Sequence, residues 1–503
     1  MERYDVIVIG TGAGGGTLLH RLAESGKKIL VLERGGFLPR EKENWNTVEV
    51  FQKDRYHTQE VWKDGEGKDL HPGTGYWVGG NTKVYGAALL RMRERDFGKL
   101  EHKGGISPAW PLEYSAFEPY YTQAEKLYGV HGRRGVDPTE PPMSADYPFP
   151  PVSHEARIQE ANDAFVKQGL RPFHVPIGVR LNVPHAPWGP PCIRCSTCDG
   201  FPCMVDAKAD SDVTCVRPAM SKSNVTLLVG AKVLKLVAVG REVKKVEVEL
   251  DGKVVEFGAD LVAVCAGAIN SALLLLRSDL ANGSGQVGRN LMKHNNGAIL
   301  AVSKHANPTV FQKTLAVHDF YFGEADFPFP MGHVSLTGKA NKDMLSGDAP
   351  GFTPDLALDQ IAKHSVDWWL TAEDLPASEN RVRYDAGEIK LEYTDNNLEA
   401  YQRLLKRWIE VLKKAEMGDQ IFPNGLYLRK KIPVQGVAHQ CGTTRFGTDP
   451  KDSVLNLDCR AHELDNLYVV DGGFFPSSAA VNPSLTIMAN ALRVGDHLNQ
   501  RLK

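Results

Sequence analysis

The chain has 503 residues, 42% hydrophobic and 24% charged, with a formal net charge of −2. This is ordinary globular composition, long enough for two substantial cores. The near-neutral balance offers no basic stripe for nucleic acid and no polybasic contact for a membrane surface. No apolar run approaches the roughly 18–20 residues that a bilayer span requires.

Residues 4 to 35 read YDVIVIGTGAGGGTLLHRLAESGKKILVLERG. A strand-like run ending at Ile9 begins almost at the N-terminus and leaves no room for a leader peptide, so a cytoplasmic protein is expected. The run feeds a glycine turn, then a helix with Leu18, Leu19 and Leu22 on one face, then a second strand, Ile29 to Leu32. Gly10 suits the tight turn, Gly12 admits a pyrophosphate to the backbone, and Gly15 lets helix and strand approach closely. The helix N-terminus offers free N–H groups and partial positive charge to phosphates. Glu33, at the end of the second strand, is placed to accept hydrogen bonds from ribose hydroxyls. These features imply a dinucleotide. They do not separate FAD from NAD, although the acid speaks against NADP.

Five of eight cysteines crowd between residues 192 and 215. The spacing Cys192-x2-Cys195-x2-Cys198-x4-Cys203 comes near that of ferredoxins, whose thiolates hold iron–sulfur clusters, and zinc is a further possibility for such a set. The alternative is a reduced cysteine-rich loop. Pro202 precedes Cys203 instead of following it, and the expectation adopted is no metal. Further on, Ile389 to Tyr393 alternates like a strand, and Leu398 to Ala415 has helical periodicity.

At the far end, a strand from Leu467 to Val470 stops in Asp471-Gly472-Gly473, and Asn482-Pro483 opens an apolar helix. Asn482 is a candidate helix cap with Pro483 in the first turn. Read with the N-terminal turn, this segment suggests a cofactor clasped by both chain ends.

These segments resemble the glucose-methanol-choline oxidoreductases. His439, Gly442, Thr443, Arg445 and Gly447 match the family's active-site stretch. Gly79-Gly80-Asn81-Thr82 resembles its glycine-rich flavin loop, and Cys265-Ala266-Gly267-Ala268 a strand-to-helix turn. Leu375-Pro376 through Asn380-Arg381-Val382 resembles a strand start in its substrate domain. The resemblance runs from residue 6 to residue 496 in family order. It implies an α/β fold in which a Rossmann-like FAD domain interleaves with an antiparallel-sheet substrate domain. The FAD domain would draw on residues 1–115, 190–300 and 430–503, the substrate domain on 300–430, and a connecting or lid segment on 116–189.

The resemblance also assigns roles. His439 would be the base that removes the hydroxyl proton, as suits an imidazole with a pKa near neutrality, and the rate would then rise with pH through that range. Asn482 would hydrogen-bond the substrate oxygen. The cofactor set would comprise Gly10, Gly12, Gly15, Glu33, Arg34, Gly79, Gly80, Asn81, Thr82, Tyr85, Gly86, Val233, Ala266, Asp471, Gly472, Asn482 and Pro483. Val84 stands where some members carry a histidine joined to FAD, so dissociable FAD is expected. The leading reading is oxidation of a secondary hydroxyl, C2 or C3, on a pyranose or glycoside, in the manner of bacterial pyranose and glycoside 3-oxidases. An aryl or primary alcohol oxidase is the alternative, and a non-catalytic flavin electron-transfer module a third. Partners would be a small alcohol or sugar and an electron acceptor of unspecified kind (oxygen, a quinone or a carrier), with no nucleic acid and no membrane.

Overall fold

The computed structural model describes residues 1–181, 190–347, 349, 351–417, 420–423 and 439–503. Two sheets organise it. The first runs in the order Val225–Leu228, Ile29–Leu32, Glu2–Ile9, Lys253–Val264, Glu242–Leu250, Lys232–Val239, and Leu467–Val469 also pairs with Lys253–Val264. Glu2–Ile9 lies parallel to both its neighbours. Its inner residues and all of Ile29–Leu32 are buried, the pattern of parallel strands covered on both faces. The last-formed strand inserts at Val262–Val264, so the C-terminal segment joins the sheet built by the N-terminal one.

Helices Ala13–Leu22 and Ser484–Arg501 cover this sheet. Their approach depends on missing side chains. A Cβ on Gly14 would stand 1.9 Å from the carbonyl oxygen of Val470, and one on Gly15 would stand 2.0 Å from that of Gly10.

The second sheet is antiparallel, in the order Gln420–Pro423, Asn295–Val302, Ser365–Ala372, His333–Leu336, Leu315–Val317, Phe173–His174. Alternation divides its strands cleanly. Ile299, Ala301, Val366, Trp368 and Leu370 face a core that includes Leu404, Trp408 and Phe165 from helices Leu398–Lys414 and Ala156–Lys167. The intervening residues face the other way, toward the site.

The strand expected at Ile389 to Tyr393 runs Glu388–Glu392, and the helix expected from Leu398 to Ala415 ends at Lys414. The domain boundaries differ more. Strand Asn295–Val302 straddles residue 300 and belongs wholly to the second sheet. The hairpin Arg381–Asp385 with Glu388–Glu392 pairs instead with Trp62–Asp64, and packs Val382 and Leu391 against Ile269 and Leu273 of the first domain. Residues 116–181, expected as a connecting or lid segment, run from one core to the other. Helix Tyr114–Leu127 buries Phe117 and Tyr121 in the first core, while helix Ala156–Lys167 belongs to the second. The expected boundary at 430 and the stretch 182–189 lie outside the described residues.

Trp408 is fully buried, with its ring 5.2 Å from Phe165 and 4.7 Å from Trp368. Trp408→Ala is expected to destabilise the second domain by about 3–5 kcal/mol, read as a lowered denaturant midpoint for that domain's transition.

Candidate active site

The glycine turn, the segment after Gly79 and the C-terminal strand converge on a groove of about 290 Å³. Gly10 holds φ at 96°, where a side chain is disfavoured, and a Cβ there would strike the Cys265 carbonyl at 2.5 Å. Nothing lies within 4 Å of a Cβ built on Gly12, so its backbone faces open space. A long ligand with a pyrophosphate fits that opening, beside the N-terminus of helix Ala13–Leu22. Of the expected cofactor residues, Gly10, Gly12, Glu33, Arg34, Gly80, Asn81, Thr82, Tyr85, Gly86, Val233, Ala266, Asp471, Gly472, Asn482 and Pro483 line the groove. Gly15 and Gly79 do not. Gly15 packs behind the turn, and the Gly79 amide is tied 3.0 Å from the hydroxyl of Thr11.

Glu33 has a second duty that the sequence did not reveal. One carboxylate oxygen accepts from the Thr11 amide at 3.1 Å and the Thr11 hydroxyl at 2.6 Å; the other accepts from the Gly35 amide at 3.0 Å. Burial pushes its pKa upward, against those hydrogen bonds. Asp471 plays the same part at the other chain end, accepting from the amides of Gly473 and Gly267 and from Ser271. Arg34 stacks over Tyr76, 3.6 Å from the ring centre, and pairs with Glu60. Tyr76, Trp77, Asn270 and Arg277 also line the groove. Tyr76 and Trp77 adjoin the glycine loop in sequence, but nothing in the spacing singled them out.

A second cavity of about 820 Å³ lies against the antiparallel sheet. The two spaces share Gly86, Ala88, His439 and Asn482. The candidate base and its amide partner therefore stand where groove and cavity meet. Asn482 is not a helix cap: the helix runs Ser484–Arg501 with no side-chain cap, and the Asn482 amide nitrogen lies 3.4 Å from His439 Nε2. Val437 and Ala438, before the histidine, lie outside the described residues.

The sequence reading missed what stands behind His439. His294 Nδ1 is 3.0 Å from His439 Nδ1, and His294 Nε2 is 3.1 Å from the carbonyl oxygen of Ser478. A carbonyl only accepts, so His294 carries its proton on Nε2. Burial lowers the His294 pKa and keeps the ring neutral. Its Nδ1 is then an acceptor, and His439 must donate from Nδ1. The lone pair of His439 is left on Nε2, at the junction of the two spaces. Asn482 donates toward that same atom.

The pair is held rigidly. Asp374, fully buried, accepts from the amides of Lys293 at 2.8 Å and His294 at 2.9 Å, and from the hydroxyls of Tyr393 and Ser478. Glu373 accepts from the Ala479 amide at 3.0 Å. His294 and Ala479 both hold positive φ, 66° and 54°, an uncommon conformation for such residues that these carboxylates sustain. Glu373 and Asp374 directly precede Leu375-Pro376, so the matched motif stopped one residue short of them.

Among the described residues, no group of three or more His, Cys, Asp or Glu side chains is disposed to hold a metal ion. Cys192, Cys195, Cys198 and Cys203 are free thiols. Their loop supplies Ser196, Asp199, Gly200 and Phe201 to the wall of the second cavity. No helix among the described residues is long and apolar enough to cross a membrane.

A dinucleotide groove meeting a sheet-floored cavity at an imidazole and an amide defines a flavin-dependent oxidoreductase. The chain belongs to the GMC oxidoreductase family, whose N-terminal model matches residues 4–296 and whose C-terminal model matches residues 376–491. It is 30% identical to paromamine 6'-oxidase of Streptomyces fradiae, over 97% of this chain and 90% of that one. It is 25% identical to 2-methyl-1,2-propanediol dehydrogenase of Mycolicibacterium austroafricanum, over 99% and 96%. The fold is similar to pyridoxine 4-oxidase from Mesorbium loti, with a TM-score of 0.68 at 18% identity over 99% of both chains. The protein is thus an FAD-binding oxidoreductase of CH–OH groups.

The neighbouring groups revise the expected pH behaviour. Burial, and then the adjacent His294, lower the His439 pKa to about 3. The imidazole is neutral throughout the physiological range, so flavin reduction is expected to be flat between about pH 5 and 9 instead of rising near neutrality. A stopped-flow pH series on the wild type checks this. His294→Leu removes the acceptor that fixes the tautomer and leaves a buried N–H unpaired, a loss of about 1–3 kcal/mol. Reduction is expected to slow by about ten- to a hundredfold with FAD content retained, and His294→Gln, whose amide oxygen can accept, should recover part of it.

Proposed function

We propose that the protein oxidises a secondary hydroxyl of a pyranose or glycoside, at C2 or C3, with His439 as base and Asn482 as the orienting amide. The observation that supports the catalytic half of this reading is the junction itself: His439 and Asn482 border both the groove and the second cavity. Bound FAD supplies the hydride acceptor. The groove residues named above would hold it, Gly12 and the helix N-terminus at the pyrophosphate and the Glu33 end at the ribose. His439 Nε2 accepts the hydroxyl proton, while the Asn482 amide donates to the same oxygen and orients the carbinol hydrogen. Trp369 and Asn296 line the cavity floor, where the Asn296 amide oxygen is taken up by the Thr371 hydroxyl. A relative named for oxidising paromamine supports a sugar-like substrate. The second reading, an aryl or primary alcohol oxidase or dehydrogenase, has behind it the relative named for 2-methyl-1,2-propanediol and the 6' position in the name of the paromamine oxidase.

The discriminating experiment is anaerobic mixing of the yellow protein with sugars, glycosides and aliphatic alcohols while following flavin bleaching. Bleaching by alcohols alone would favour the second reading. His439→Ala is expected to slow reduction by about a hundred- to ten-thousandfold with FAD retained. Asn482→Ala should slow it less, and the double variant should lose less than the product of the two. FAD should leave the protein on acid precipitation, because Val84 cannot form a covalent link; flavin in the pellet would overturn that.

A further inference from the structure

The cavity floor has a direction. Strands Asn295–Val302 and Ser365–Ala372 are antiparallel, with Asn296 opposite Thr371, Ala298 opposite Trp369, and Leu300 opposite Asp367. Same-face residues advance about 6.8 Å per pair, so the rows from Asn296 to Leu300 span roughly 13–14 Å. The Asn296 row is the near end, two residues from His294, which touches His439. Trp369 comes next, its ring fixed by a 3.0 Å hydrogen bond from Nε1 to the Thr371 hydroxyl. Beyond it, the Leu300 row meets Met344, Leu345, Phe51 and Phe201. Leu300 packs with Leu345, and Phe201 with Met344 and with the ring of Phe51 at 4.9 Å. Phe51 is 40% exposed, a large apolar side chain left partly open at the rim. The far row thus sets an apolar cluster beside Asp367, over a length from the reacting end that one pyranose ring does not fill.

The charges lining the cavity are already engaged. Asp199 pairs with Lys313 at 2.5 Å and also accepts from the Gly338 amide. Asp367 accepts from Gln312 at 2.8 Å and from the Ala340 amide at 3.0 Å through one carboxylate oxygen; the other is buried with no hydrogen-bond partner. Lys339 donates to the carbonyls of Ala362 and Ser365. Two acids and two lysines cancel, and each is bound to the protein.

We propose that the substrate is a glycoside whose aglycone is apolar, the sugar lying between Asn296 and Trp369 and the aglycone against Leu300, Leu345, Phe201 and Phe51. This rests on the sugar reading above and adds the second half of the substrate.

The test measures anaerobic flavin reduction of the FAD-loaded enzyme by methyl, phenyl and octyl glucopyranosides in both anomers, with cellobiose, paromamine and cyclohexanol as comparators. Burying a ring or chain at the far end should make phenyl or octyl glucoside bind about ten- to a hundredfold more tightly than methyl glucoside. Phe51→Ala, at an exposed position that leaves the core intact, should shrink that ratio several-fold. Equal binding of methyl and phenyl glucosides, or preference for cellobiose or paromamine, overturns the aglycone proposal and leaves sugar oxidation standing. Reduction by cyclohexanol as good as by any glycoside overturns the sugar reading beneath it. Bleaching by none of the six overturns both.

Discussion

The contact between Gly14 and the carbonyl of Val470 sets the spacing on which the rest depends. With no side chain between them, the first helix of the chain rests directly on the last strand. Residues more than 450 positions apart are thereby held at backbone distance. The cradle turn, Asp471 and the Asn482–Pro483 bend become one rim. Glu33 and Asp471 then act as matching fasteners: each carboxylate spends its oxygens on backbone amides of the turns that form the groove. The cofactor groove is thus a product of strand order, and strand order is possible because particular glycines are small.

The second domain contributes by alternation. One face of its sheet carries Trp368 and Leu370 into a packed core, and the other presents Asp367 and Trp369 to the cavity. A single strand, Ser365–Ala372, thus provides both stability and the substrate wall. It ends in Glu373 and Asp374, which hold the loops bearing His294, Ser478 and Ala479. The geometry of the base follows from the end of that strand.

Local patterns announced what local physics determines. The glycine turn between two apolar strands, the acid at Glu33 and the amphipathic helix from Leu398 were legible because sequence neighbours form them. The family resemblance brought His439 and Asn482 to notice. The reading failed where the partner is distant: His294 looks like any histidine until the fold sets it beside His439, 145 residues away. Asn482 read as a cap because Asn before Pro usually is one; its amide turned out to face an imidazole. The hairpin at 381–392 seemed to belong to the domain around it, yet its mates are at 62–70, which no periodicity can convey.

The low basicity of His439 bears on timing. An imidazole with a pKa of about 3 is a poor match for an alcohol proton. It cannot strip a hydroxyl and wait, because an alkoxide beside such an acidic imidazolium would be reprotonated at once. The O–H bond therefore loosens only as the carbinol hydrogen departs with its electrons and the oxygen becomes that of a carbonyl.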